Sequence, residues 1–295
     1  MISPIMATRT AALRQALNER MNAVLRNVEP SYLRDALQHA THGGKKVRPL
    51  LTLLACSAAG GNWHNALDAA TAIELLHTSS LIHDDLMDES PLRRGVPTLH
   101  TVYNIPTAIL AGDTLIALAF ELVHHIEMPT AGEMARIFNR AFRDLCEGQA
   151  YDVACSSGHP VNSSEHRIMV EKKTAALFRA AGEIGALHAT DNCSTIRALS
   201  RFAYCIGMAF QAQDDLLDAV GDEATMGKPV MLDRKNGKQT FYTLGSTNGE
   251  ESSSAVTATV NRFTSEALEA LADLPPSEAR EVLTLLARSL ESREC

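Results

Sequence analysis

LLHTSSLIHDDLMDESPLRRG, residues 75–95, begins like the inside of a helical core and ends in charge. Its apolar residues recur at three and four positions, the period of an α-helix, until Ser90-Pro91 breaks the pattern and Arg93-Arg94-Gly95 follows. Asp84, Asp85 and Asp88 sit just before the break. On a helix, residues four apart share a face, so Asp84 stacks with Asp88 and Asp85 lies beside them. Carboxylates among apolar residues are costly unless a cation or a donor compensates them. A single DDxxD also fits a solvated acidic helix end. The chain repeats it, however, in QAQDDLLDAV at 211–220, where Asp214, Asp215 and Asp218 take the same spacing with apolar flanks.

The rest of the chain sets the frame for these two motifs. Its 295 residues are 45% hydrophobic and 21% charged, with only 5% aromatics, abundant Ala and Leu and short β-branched runs. That composition favours an all-α protein. Helical periodicity covers 8–27, 30–42, 47–60, 64–87, 105–125, 130–155, 164–189, 194–219, 237–245, 255–273 and 277–292, with Ser277 as the N-cap of the last. Turn-forming stretches separate them at 42–44, 59–62, 90–97, 156–162 and 221–229. No low-complexity linker divides the chain, so one domain over 1–295 is expected. A net charge of −8 and a pI near 5.8 argue against nucleic acid as the main partner. The six cysteines are scattered without a CxxC pair, which points to a reducing, cytoplasmic setting. No stretch is expected to reach the ~20 apolar residues of a membrane span, and MISPIMATRTAALRQ does not read as a secretory leader.

Each acidic cluster offers hard oxygen ligands of the kind Mg²⁺ takes while sharing substrate phosphates. Two such helices facing one cavity would grip a diphosphate from both sides. Cations stand next to turns elsewhere in the chain. Lys45, Lys46 and Arg48 follow the Gly43-Gly44 turn at a helix start, a natural anion site. Arg93 and Arg94 follow the first aspartate motif, Lys173-Thr174 lies inside the 164–189 helix, and Lys228 and Lys238 follow the second motif. Taken together, these suggest a bisubstrate reaction on two diphosphate esters.

GGKKVRP, LLHTSSLIHDDLMDESPLRRG, AGDTL, GQ at 148–149, KT at 173–174, FQAQDDLLD and the later GKP and GK come in that order along the chain. In this it resembles the trans-isoprenyl (polyprenyl) diphosphate synthases of the geranylgeranyl or longer-chain type. The resemblance implies a bundle of long helices around a deep central cavity, usually a homodimer, that joins an allylic diphosphate to isopentenyl diphosphate. It also implies that Asp84, Asp85, Asp88, Asp214, Asp215 and Asp218 hold Mg²⁺, about two or three ions per site. Arg93, Lys173, Lys228 and Lys238 would complete the allylic diphosphate site, and Lys45, Arg48, His77 and Arg94 would bind isopentenyl diphosphate. Gln211 and Thr174 would face the reacting carbon, with Gln149 near the first aspartate helix. The implied mechanism is ionisation of the allylic C–O bond, attack by the isopentenyl double bond and loss of a proton to the released diphosphate.

Product length is read from the floor beneath the first motif, where one helical turn of ~5.4 Å matches about one isoprene unit. Short-chain members often carry an aromatic four or five residues before the first aspartate; here those positions are Ser80 and Ser79. The plain DDLMD also lacks the two extra residues of bacterial farnesyl-type enzymes. Both features imply C20 or longer rather than the farnesyl alternative. A deeper floor falls on Leu76, Leu75, Ile73 or a second helix with Ile109, Leu115, Ile116 and Phe120. The segment GKPVMLDRKNGKQT departs from the family's usual Gly-x-Asp. His83 and His100 read as structural. Three rivals fit less well: a class I terpene cyclase has no second diphosphate for GGKKVRP, His77 and Arg94 to bind, a non-catalytic synthase subunit commonly lacks one aspartate motif, and a purely structural bundle needs no paired acidic clusters.

Overall fold

A computed structural model of the chain describes residues 4–93, 95–157, 159, 162–220, 240 and 253–291. The described backbone is helical apart from connecting turns and one short hairpin. In order, the helices are α1 Pro4–Arg9, α2 Ala11–Leu25, α3 Ser31–Thr41, α4 Val47–Ala58, α5 Leu67–Met87, α6 Leu99–Val102 and α7 Ile105–His124. They continue with α8 Ala131–Ser156, α9 Ser163–Val170, α10 Ala176–Leu187, α11 Cys193–Val220, α12 Ser253–Ala272 and α13 Glu278–Glu291. The hairpin pairs β1 Leu92–Arg93 with β2 Val96–Pro97.

Packing follows from which helices are apolar on more than one face. In α4 nearly every residue from Pro49 to Ala58 is buried, and in α5 the run Ala69–Leu76 is buried without interruption. Helices apolar all round belong in the centre. Thus α5 packs on α7 and α4, α10 sits among α4, α8 and α11, and α12 covers α11. The buried apolar side chains form one contiguous cluster. At the last helix Ser277 Oγ accepts the Arg280 N–H at 3.1 Å, the expected N-cap.

Four expectations are modified. The 8–27 helix breaks at Thr10, whose Oγ donates to the Met6 carbonyl at 2.8 Å in competition with the backbone ladder. The 64–87 helix opens with a 3₁₀ turn, Trp63–Ala66, capped by Asn62. The 164–189 helix becomes α9, a π-helical turn at Glu171–Ala175, and α10. Finally, α7 has 20 residues, with an 18-residue stretch at a mean hydropathy of 1.6, and is by length and composition apolar enough to cross a membrane, contrary to the expectation that no stretch would be. Its Ala108, Ala111, Leu115 and Ala119 are buried in the contact with α5, while Ile105, Ile109 and Leu110 are exposed. The predicted 237–245 helix lies outside the described residues.

Candidate active site

The first aspartate motif occupies the C-terminal end of α5, where the helix dipole is negative and carboxylates are unfavourable. Asp88 is the C-cap, and Glu89, with φ +49°, turns the chain away. The hairpin then folds back: Gly95, at φ +76°, supplies the turn that Cβ-bearing residues rarely adopt. Val96 and Pro97 then pair back along Leu92 and Arg93, and Arg93 meets the aspartates. Its Nε donates to Asp85 Oδ1 and Oδ2 at 2.8 and 2.9 Å, and its Nη2 reaches Asp84 Oδ2 at 3.4 Å. Gln149 of α8 donates to Asp84 Oδ1 at 2.6 Å, and Lys173 Nζ lies 3.1 Å from the same oxygen. Asp85 is only 6% exposed, and burial pushes its carboxyl above the usual carboxylate range although Arg93 pulls the other way. A buried carboxylate in that state calls for more positive charge.

The π turn joins this cluster to the second motif. A π turn inserts one residue into the helical ladder and commonly marks a functional site. Its Lys173 reaches Asp84, while its next residue, Thr174, donates to Gln211 Oε1 at 2.8 Å. Gln211 Nε2 then donates to Asp215 Oδ1, also at 2.8 Å, one turn along α11. The hydrogen bonds therefore run from Arg93 through the first motif to Lys173, and from Thr174 to the second motif. Asp214 is half-buried, and Asp215 and Asp218 are buried.

The basic end of α4 forms a neighbouring cluster. Gly43, Gly44 and Lys46 all have positive φ, at 73°, 79° and 50°, so the chain makes a tight turn into α4. Lys45 is left exposed, and its carbonyl accepts Arg14 Nη1 at 2.8 Å. Arg48 Nη1 lies 3.1 Å from His77 Nε2; a guanidinium has no acceptor, so the imidazole nitrogen accepts. The same guanidinium stacks 4.3 Å over the Phe178 ring, a cation–π contact. Arg48 and His77 thus come together, with Phe178 one turn after Thr174.

Below the first motif, Ser79 is fully buried and its Oγ donates to the Leu76 carbonyl at 2.7 Å. Ser80 is half-buried, on the same partly open stripe of α5 as His77, Leu81 and Asp84. Leu76 is buried, and half-buried Phe120 packs edge-on to Phe138 at 5.2 Å. His83 sits against Gly112 of the AGDTL stretch, where any Cβ would lie 2.2 Å from its Nε2. That close approach is what the glycine of that stretch permits.

Three participants escaped the sequence reading. Asp152 accepts Lys173 Nζ at 2.6 Å from α8, although its place one turn after Gly148 on the helix that carries Gln149 was a signal. Glu74 is the second: it pairs at 3.3 Å with Lys46, which is buried there instead of standing open as a cation of the expected anion site. The third is the π turn itself. Arg94, Lys228, Lys238 and the GKPVMLDRKNGKQT segment, apart from its last residue Thr240, lie outside the described residues. Among the described residues no three His, Cys, Asp or Glu side chains converge on one point. The first motif turns instead to Arg93, Gln149 and Lys173. Its donor set is nonetheless all carboxylate oxygen, which suits a hard divalent cation.

An all-α bundle with two acidic helix ends tied together by a Lys-Thr turn, and a basic helix start beside them, defines an isoprenoid-synthase fold. The polyprenyl synthetase family profile matches residues 30–274. The chain is 42% identical over 226 residues to the short chain isoprenyl diphosphate synthase of Methanothermobacter thermautotrophicus, covering 76% of this chain and 70% of that one. Among solved structures it is similar to the geranylgeranyl pyrophosphate synthetase of Pyrococcus horikoshii, with a TM-score of 0.90, 34% identity and 98% of each chain covered. It is also similar to a Caulobacter crescentus polyprenyl synthase complexed with calcium and isoprenyl diphosphate, with a TM-score of 0.87, 30% identity, and 98% of this chain and 97% of that one covered. The chain belongs to the polyprenyl synthetase family.

Proposed function

We propose that this chain is a trans-prenyltransferase that condenses an allylic diphosphate with isopentenyl diphosphate and stops at C20, geranylgeranyl diphosphate. The observation that carries the reading is the hydrogen-bonded path through Lys173 and Thr174 that joins the two aspartate motifs. Asp84, Asp85, Asp88, Asp214, Asp215 and Asp218 would hold Mg²⁺, which when bound offsets the charge of the leaving diphosphate.

The chain's own residues have distinct tasks. Arg93 presents a planar fork that suits diphosphate oxygens, and Lys173 adds a second cation beside it. Lys228 and Lys238 complete that site. Lys45, Arg48, His77 and Arg94 hold isopentenyl diphosphate, with Arg48 fixed by His77 and Phe178. The hydroxyl of Thr174 and the carbonyl of Gln211 turn oxygen dipoles toward the allylic cation. The isopentenyl double bond attacks it, and the proton lost in forming the new double bond goes to the released diphosphate. Apolar walls keep out the water that would quench the cation.

The small residues at Ser79 and Ser80 support C20, as do relatives and neighbours named for geranylgeranyl diphosphate. Chain length is then set by Ser79, Ser80, Leu76 and Phe120. The proposal includes one domain over 1–295 and a cytoplasmic setting; the exposed apolar side of α7 supports a homodimer, because a second copy could cover that face. The test is incubation with Mg²⁺, isopentenyl diphosphate and dimethylallyl, geranyl or farnesyl diphosphate, followed by mass analysis. Elongation ending at C20 supports the reading. Inorganic diphosphate with a free hydrocarbon and no elongation would assign a cyclase.

A further inference from the structure

We infer that one turn of α8, through Gly148 and Asp152, is a positioning element that seats Lys173 for the allylic diphosphate; the inference rests on the prenyltransferase reading above. Among the described residues Lys173 Nζ meets two carboxylates, Asp84 Oδ1 at 3.1 Å and Asp152 Oδ2 at 2.6 Å. Asp84 belongs to the motif that takes the substrate's counter-ions. Asp152 is buried at 6% exposure and stands on a different helix, so it is the partner that stays with the ammonium when Asp84 is engaged elsewhere.

Gly148, four residues before Asp152 and so on the same face of α8, sets the distance. A Cβ there would lie 2.2 Å from the Lys173 backbone nitrogen, 2.6 Å from its Cα and 2.8 Å from the Lys172 carbonyl carbon. Backbone atoms cannot swing aside as a long side chain does. Any larger residue therefore forces α8 and the π turn apart. Gln149, next in sequence, donates to Asp84. A single turn of α8 thus holds the Lys173 backbone, the Lys173 ammonium and the first aspartate. The π turn pressed against it sends Lys173 to the first motif and Thr174 to Gln211. Moving the reacting groups by about 1 Å can cost ~10²-fold in rate.

The test compares Asp152→Asn and Gly148→Ala with the wild-type full chain. Initial rates are taken with Mg²⁺ while each substrate is varied in turn, and the binding of inorganic diphosphate with Mg²⁺ is followed by calorimetry. Asp152→Asn keeps shape and removes charge, so it decides the matter if Gly148→Ala fails to fold. The expected result is a loss of ~10-fold or more in kcat/KM for the allylic diphosphate and a comparable loss in inorganic diphosphate affinity. The KM for isopentenyl diphosphate should stay within about twofold, since Arg48 is held by His77 of α5 and Phe178 of α10. Both variants within twofold of wild type on every measure would overturn the inference and leave the reading standing. So would an equal rise in both KM values, which marks a general structural loss. A wild type that elongates no allylic diphosphate would overturn the reading, and the inference with it.

Discussion

The two aspartate motifs have nearly the same letters, DDLMD and DDLLD, and both close long helices, yet the fold treats them differently. The first gathers its partners from three other elements: Arg93 from the hairpin, Gln149 from α8 and Lys173 from the π turn. At the second, among the described residues, Gln211 comes from the same helix, at i and i+4, and is steadied by Thr174. The third aspartates differ as well, Asp88 being half-buried and Asp218 buried. Among the described residues, then, Arg93 and Lys173 bring charge to the first motif from other elements, and a neutral amide of its own helix braces the second.

Mutations can break that contrast. Asp84→Ala removes the carboxylate on which Arg93, Gln149 and Lys173 converge, so turnover should fall on the order of 10³-fold with the helical circular dichroism unchanged. Near-normal activity would take Asp84 out of the site. Gln211→Ala should cost less, roughly 10- to 100-fold in kcat, because it removes a brace and not a charge. If the two losses came out equal, the distinction between the motifs would fail.

A third substitution asks how far the site extends below the first motif. Ser79→Phe should shorten the product from C20 toward C15 if the tail passes that turn, read by mass. Because Ser79 is fully buried, the ring should also lower the melting temperature, whereas Ser80→Phe, on the partly open stripe, should shorten the product at a smaller stability cost. An unchanged product from both would place the floor deeper, against Leu76 or Phe120.

The smallest expected effect lies away from both motifs. Burial lowers the pKa of His188 below the ordinary imidazole value of 6.5. A base held neutral by the fold contributes stability that is full above the unfolded value and is lost as pH falls through the folded one. Denaturant unfolding near neutral pH and again at about pH 5 should therefore show a steeper acid loss for wild type than for His188→Gln. Parallel losses would mean that the imidazole is not held neutral by burial.

The same contrast explains what the sequence made legible. Asp84 and Asp88, or Asp214 and Asp218, are four residues apart on helices with clear apolar periodicity, so their shared face follows from spacing alone. Ser277 likewise announces its helix. Arg48 and His77 were both named, and the tight turn of Gly43-Gly44 with the buried packing of α5 brings them together. The π turn was not legible. Its residues, Glu171–Ala175, read as ordinary helix, and the extra residue in the ladder depends on how α8 presses from the side. Gly148 showed only as part of a GQ pair. Its importance lies in atoms of Lys173 that are distant in sequence. The expectation that no stretch would be long and apolar enough for a span missed α7 for a related reason: α7 is apolar on two sides, one for α5 and one exposed, and composition does not say what covers the second.

The account turns on the two motifs acting as one site through Lys173 and Thr174, and a double-mutant cycle on Asp84→Ala and Gln211→Ala measures that directly. Residues that act as a unit are non-additive, so kcat/KM for the double variant should be scarcely lower than for Asp84→Ala alone. If the two losses multiply instead, the motifs work independently and the connection through the π turn has no part in the reaction.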